Sequence, residues 1–245
     1  MKIFKNETLN RVDVLDERFY TLDNKTFYPS VTTVLSAYPK GYAFQEWLKS
    51  TGFNADIILE KAGQQGTNVH NAIENFLNKK ELIWINGEGY ENYTLNEWKM
   101  ICRYMDFHEN YVDKDKPMAV ETLLFSDGMK LGGTADLVCT INGETWMIDF
   151  KTSNGLYKTY DMQLAVYKNM WDEKNEPKIE RYGILWLNSS HRTIKEFQGI
   201  GWQLKEITKD HEENISLYNH TRALWDQENP NYSPKNLSFA NSYKL

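Results

Sequence analysis

The stretch GTADLVCTINGETWMIDFKTS, residues 133–153, constrains this chain more than any other part of it. Apolar and polar residues alternate on both sides of Asn142-Gly143. Asn-Gly between two alternating runs is the strongest short-range signal for a β-hairpin closed by a two-residue turn. Such a turn fixes the register: Ile141 faces Glu144, and further along the ladder Asp136 faces Asp149. Side chains alternate between faces with a period of two, so Lys151 shares the face of Asp149, while Trp146, Ile148 and Phe150 join Leu137, Cys139 and Ile141 on the other. One face reads as core and the other as charged. Like charges directly opposite in an antiparallel pair are destabilising, so the pattern asks for a compensating cation. A divalent ion with a taste for hard oxygen ligands, Mg²⁺ or Mn²⁺, would supply it, with Lys151 placed to meet an anionic substrate beside it.

The rest of the chain frames this hairpin. Residues 118–125 read as a strand, and Asp127-Gly128 reads as a second two-residue turn. That register puts Glu121 opposite Thr134 and Thr134 opposite Lys151, so Glu121, Asp136, Asp149 and Lys151 share one face, with Gly132-Gly133 as the natural place for a bulge. Ser30 is positioned to cap a short helix through Val31, Val34 and Leu35. A second helix is expected over 44–49. A third starts around Gly66, with an apolar stripe of Val69, Ala72, Ile73, Phe76 and Leu77 and His70 at its edge. Residues 96–111 form a long helix, and 160–171 another, which carries Gln163 and Tyr167 on its aromatic face. Strands are expected over 181–187 and 193–197, a closing helix over 207–225, and a hairpin near residues 18–22.

A chain of 245 residues is long enough to bury one substantial core. No apolar run is long enough to span a bilayer and no secretory leader is recognisable, so a cytoplasmic protein is expected. Two cysteines, Cys102 and Cys139, are too few for a four-cysteine iron–sulfur cluster or zinc site. The net charge of −6 argues against indiscriminate attraction to nucleic acid and leaves room only for a local basic path.

Five pieces then fall in a recognisable order: Gly66-x-x-x-His70, Glu121, Gly133-Thr-Ala-Asp136, Asp149-Phe-Lys151-Thr152 and Gln163-Leu-Ala-Val-Tyr167. Together with a Ser-Val-Thr-Thr segment at 30–33, they resemble the RecB-like branch of the PD-(D/E)XK nuclease superfamily, over roughly residues 28–187. The likeness is greatest to the phage and mitochondrial genome-maintenance exonucleases. The resemblance implies an α/β fold, a restriction-endonuclease-like mixed sheet with a central antiparallel meander flanked by helices. It implies one domain over 1–245, with 62–111 as a helical cover and 230–245 as a loosely ordered tail.

The same resemblance implies Mg²⁺ or Mn²⁺ held by His70, Asp136, Asp149 and the carbonyl of Phe150. Lys151 would position or activate the attacking water, and Glu121 would serve a second metal or partner Lys151. Gln163, Tyr167, Ser30 and Thr152 would support the site or touch DNA. The iron–sulfur motif of some relatives is missing, as is a helicase P-loop. The function implied is a metal-dependent deoxyribonuclease, an exonuclease acting on DNA ends with single-strand preference in replication, recombination or repair. The alternatives are a structure-specific or nonspecific endonuclease, or an inactive DNA-binding protein on the same fold. The partner is DNA, single-stranded or free-ended, and no membrane. Trp84, Tyr90, Tyr93 and Trp98 would either stack on unpaired bases or pack within the helical layer.

Overall fold

The computed structural model describes residues 2–5, 10–14, 17–23, 25–116 and 118–234. Strands β1 (Lys2–Lys5), β2 (Asn10–Val14), β3 (Glu17–Thr21) and β4 (Tyr28–Pro29) form a small antiparallel sheet. Helices α1 (Val31–Leu35), α2 (Tyr42–Thr51), α3 (Ala55–Leu77) and α4 (Leu95–Tyr111) follow. The main sheet is then built from β5 (Ala119–Ser126), β6 (Leu131–Ile141), β7 (Glu144–Lys151), β8 (Arg181–Trp186), β9 (Gln198–Gly199) and β10 (Trp202–Glu206), with α5 (Lys158–Lys174) between β7 and β8 and α6 (His211–Glu228) at the end.

The strand order is β5-β6-β7-β8-β10-β9. β5, β6 and β7 are the expected antiparallel meander, and β8 runs parallel to β7. Parallel neighbours need a crossover of a dozen or more residues, which α5 provides. The sheet is mixed and flanked by helices, as the resemblance implied.

The central hairpin forms as its sequence demands. Asn142 and Gly143 take φ of 52° and 83°, the primed-turn geometry that suits the twist of the strands. Ile141 pairs with Glu144, and the ladder runs in that register to Leu137–Ile148. The preceding turn differs from expectation. It spans residues 127–130 rather than two residues, because the Ser126 hydroxyl accepts the Met129 amide (3.0 Å) and donates to Glu173 on α5 (2.8 Å), holding a wider loop. Thr134 therefore pairs with Leu123, and Glu121, flanked by the pairs Val120–Leu137 and Thr122–Ala135, comes opposite Asp136. A shift of two residues preserves the face of every side chain. Thr134 meets the Tyr20 hydroxyl (3.2 Å) instead of Lys151.

Gly132 and Gly133 stay in regular pairing with Phe125 and Leu124. Their role is close approach, since a Cβ on Gly132 would lie 1.9 Å from the Tyr20 ring and one on Gly133 2.3 Å from the Tyr167 ring. The irregular residue is Glu121 itself, with φ of 45°.

Both faces of the sheet are covered, so the division into one core face and one charged face needs correction. Leu137, Cys139, Ile141, Trp146, Ile148 and Phe150 pack against Val69, Ile73, Tyr104 and Phe107 of α3 and α4. Val138 and Met147, which share the faces of Asp136 and Asp149, are buried with Met162, Val166 and Tyr218 of α5 and α6. The charged residues occupy only the end of that face.

Three element boundaries also differ. α3 begins at Ala55, eleven residues before Gly66, because the run Ala55-Asp-Ile-Ile-Leu-Glu-Lys-Ala62 is helix-forming enough to carry two interior glycines at about 1 kcal/mol each. The strand expected over 193–197 is displaced to β9 and β10, joined through Gly201 at φ of 82°, with Trp202 buried in the core. The closing helix starts at His211, after a 3₁₀ turn over Thr208–Asp210.

Segment 62–111 packs largely as a layer on the sheet. Trp98 stacks with Trp84 and Tyr93, leaving Tyr90 as the well-exposed ring of the four. The beginning of α3 is different. α2 buries none of its residues, Phe53 is fully exposed, and after Ala55 the next buried side chain of α3 is Val69. In the segment expected to be a loose tail, Tyr232 stacks on Phe19 at 4.9 Å; residues 235–245 lie outside the described residues. No helix among the described residues is long and apolar enough to cross a membrane.

Candidate active site

The site forms where β6 and β7 part. Beyond the last pair, Leu137–Ile148, the Phe150 amide donates to the Asp136 side chain, Oδ2 (2.8 Å). His70 reaches this point from α3. Its Nε2 lies 3.0 Å from the Phe150 carbonyl, and its Nδ1 3.6 Å from Asp136 Oδ2. A neutral ring that donates through Nε2 presents the Nδ1 lone pair to the carboxylate, which is how a metal-bound histidine is usually oriented by a backbone carbonyl. Glu121 completes the group. One ligand atom from each of His70, Glu121 and Asp136 lies within 4.8 Å of the others. Burial first, then the charges of Asp136 and Glu74, push the Glu121 carboxyl up to about 8 against the opposing pull of Arg11 and Arg18. One imidazole nitrogen and two carboxylates, with facing lone pairs, suit a divalent ion such as Mg²⁺ or Mn²⁺.

Asp149 and Lys151 stand beside this group. Asp149 is 2% exposed; its carboxylate is in contact with the Lys151 ammonium and accepts from Gln163 Nε2 (3.2 Å). Lys151 thus already offsets part of the repulsion that the sequence assigned to a metal. Burial raises the Asp149 carboxyl, Lys151 pulls it down, Asp136 pushes it up, and the balance is upward. Burial alone would lower the Lys151 ammonium, but Asp149 and Asp136 outweigh it, so it too is raised. Gln163 Oε1 lies 3.5 Å from Lys151 Nζ, and the Tyr160 ring centre 4.7 Å from it. Gln163 therefore spans both members of the ion pair.

The other expected residues support the scaffold around this point. Tyr167 is 3% exposed and lies against Gly133. Thr152 faces Gly66 so closely that a Cβ there would sit 3.2 Å from its hydroxyl. Ser30 is buried and caps α1 through the Thr33 amide (2.9 Å).

The sequence did not reveal the cleft that opens beside His70 and Lys151. It has a volume of about 540 Å³ and lies between the bare strip of α3 at Ala62, Gly63 and Gly66, flanked by Lys61 and Gln65, and the turn at Ser153 and Asn154. No acidic residue lines it, despite the net charge of −6. The available signal was Gly63 and Gly66 at a spacing of three, which on a continuous helix places both on one face.

The sequence profile of the PD-(D/E)XK nuclease superfamily matches residues 39–230, and the chain belongs to that superfamily. Its members are metal-dependent nucleases. No curated protein sequence gives a significant match. Among solved structures, the one titled "Crystal structure of SSO0001" is similar at 16% identity, over 56% of this chain and 59% of that chain, with a TM-score of 0.28. The matched region is well short of that protein's whole length, and a likeness of this degree carries no argument.

Proposed function

We propose that this protein is a metal-dependent DNA exonuclease of the RecB-like branch, acting on free ends with a preference for single strands, in replication, recombination or repair. The observation that carries the reading is the His70–Glu121–Asp136 group set beside the Asp149–Lys151 pair, at the edge of a cleft with no acidic lining. In this reading His70, Glu121 and Asp136 hold Mg²⁺ or Mn²⁺, with Asp149 and the Phe150 carbonyl available as further ligands on β7. A bound divalent ion neutralises phosphate charge and makes hydroxide accessible near neutral pH. Lys151 brings fixed positive charge to the place where negative charge develops on the phosphate, and orients the attacking water. Asp149 keeps Lys151 charged, and Gln163 holds the two in register. The single-strand preference is supported by the exposed Tyr90 ring, which offers a stacking surface on the cover over 62–111.

The test is digestion of end-labelled single-stranded, blunt duplex and circular single-stranded DNA with Mg²⁺ or Mn²⁺. Linear single strands should be degraded fastest and circles left intact. Cutting of circles would make the protein an endonuclease. Binding without any hydrolysis would make it an inactive DNA-binding protein.

A further inference from the structure

The chain has six arginines. Arg11, Arg18, Arg181 and Arg222 each pair with a carboxylate. Arg103 and Arg192 do not, among the described residues, and these two are held by the same piece of backbone. Arg103 donates from Nη1 to the Leu187 carbonyl (2.7 Å) and lies over Gly201, where a Cβ would fall 2.3 Å from its Nε. The Gly201 amide donates to the His191 carbonyl (2.9 Å), and the same carbonyl accepts from Arg192 Nη1 (2.9 Å). The nearby acid Asp106 is engaged by the Trp202 indole (2.6 Å) and Asn110 (3.1 Å). Burial first, and then the charge of Arg192, lower the Arg103 guanidinium.

Two like charges held by one glycine turn and two carbonyls are costly unless an anion joins them. The place in the fold says which anion. The Leu187 amide donates to the Lys151 carbonyl (2.8 Å), so one residue links Arg103 to the catalytic lysine. Asn188, next in sequence, donates to Asn154 at the lip of the cleft (3.0 Å). The turn that carries Arg192 thus borders the lip of the cleft at Asn154. We propose that Arg103 and Arg192 form a phosphate subsite that grips the backbone of the DNA strand outside the cleft. The proposal rests on the nuclease reading and adds to it a second anchor, which sets how long a strand must be to bind well.

The test is fluorescence anisotropy of a labelled single-stranded 20-mer and of a trinucleotide in EDTA, across 50–300 mM KCl. Each phosphate contact contributes about −0.7 to the slope of log K against log salt for single strands. Arg192→Ala should make the slope shallower by about 0.7 and Arg103→Gln/Arg192→Ala by about 1.4, with 20-mer affinity down roughly three- to tenfold at low salt. The advantage of the 20-mer over the trinucleotide should shrink, and Arg192→Lys should restore most of the slope. Arg192 is exposed, so its loss tests the contact without threatening the fold. An unchanged slope in Arg192→Ala, with the wild type cleaving DNA, overturns the subsite and leaves the nuclease standing. Equal losses for trinucleotide and 20-mer also overturn it, in favour of a site for free nucleotide. Failure of the wild type to bind or cleave DNA at all overturns both.

Discussion

Glu121→Gln isolates the electrostatic cost of assembling the proposed metal-ligand group of His70, Glu121 and Asp136. The Glu121 carboxyl is displaced from an ordinary 4.5 to about 8 by burial and by Asp136 and Glu74. At about 1.4 kcal/mol per pH unit the full displacement corresponds to roughly 5 kcal/mol of penalty above pH 8. Glu121 is only partly buried, so solvent screens the charges, and a realistic effect is roughly 1–2 kcal/mol. Between pH 4.5 and about 8 the native state binds more protons at this group than the unfolded chain, so its contribution to stability falls as pH rises through that window. Glutamine removes the dependence. In EDTA, Glu121→Gln and wild type should melt together near pH 4 and separate as pH rises, until the variant is more stable by roughly 2–8 °C above pH 8, since about 1 kcal/mol moves the midpoint of a chain this size by 2–4 °C. Mn²⁺ should reverse the order, because a ligand at 100 times its Kd adds about 2.7 kcal/mol to a protein that binds it. Circular dichroism melts from pH 4 to 9, with EDTA or Mn²⁺, measure all of this. Melting curves that stay parallel across pH, or equal stabilisation of both proteins by Mn²⁺, would refute the reasoning.

Asp149→Asn should abolish release of acid-soluble nucleotides, because it removes the carboxylate that meets the Lys151 ammonium and accepts from Gln163, and substantial residual cleavage would remove Asp149 from the site. His70→Ala should move the Mn²⁺ dependence of cleavage to higher concentration more than it weakens DNA binding in EDTA, and an unchanged metal titration would remove His70 from the ligand set. Gly133→Ala should cost about 1–3 kcal/mol by driving a methyl group into the Tyr167 ring, whereas a neutral effect on the melt would show that the ring can move aside.

The hairpin register was legible because it depends on two adjacent residues, Asn142 and Gly143, and on a strict period of two. The β5–β6 register was not, because the wide turn is held by a bond from Ser126 to Glu173, 47 positions away. Glu121 still reached the right neighbourhood, since an even shift keeps its face. Repulsion between Asp136 and Asp149, read from the pairing alone, asked for a cation, and the structure places the Lys151 ammonium, two residues along the same strand, against Asp149. Helix α5 covers Val138 and Met147 from outside the hairpin, so nothing local could show that the second face is buried. The cleft stayed hidden because Gly66, read as a helix start, sits in the middle of a longer helix that also carries Gly63.

That longer helix has two mechanical regimes. From Val69 onward α3 is pinned by buried side chains, whereas residues 56–65 have no fully buried side chain and include one of the two glycines. Amides in the outer half should exchange with solvent by local fraying, while those near His70 wait for much larger openings. The outer turns can therefore bend or melt and reshape the α3 wall of the cleft while the imidazole of His70 stays in place.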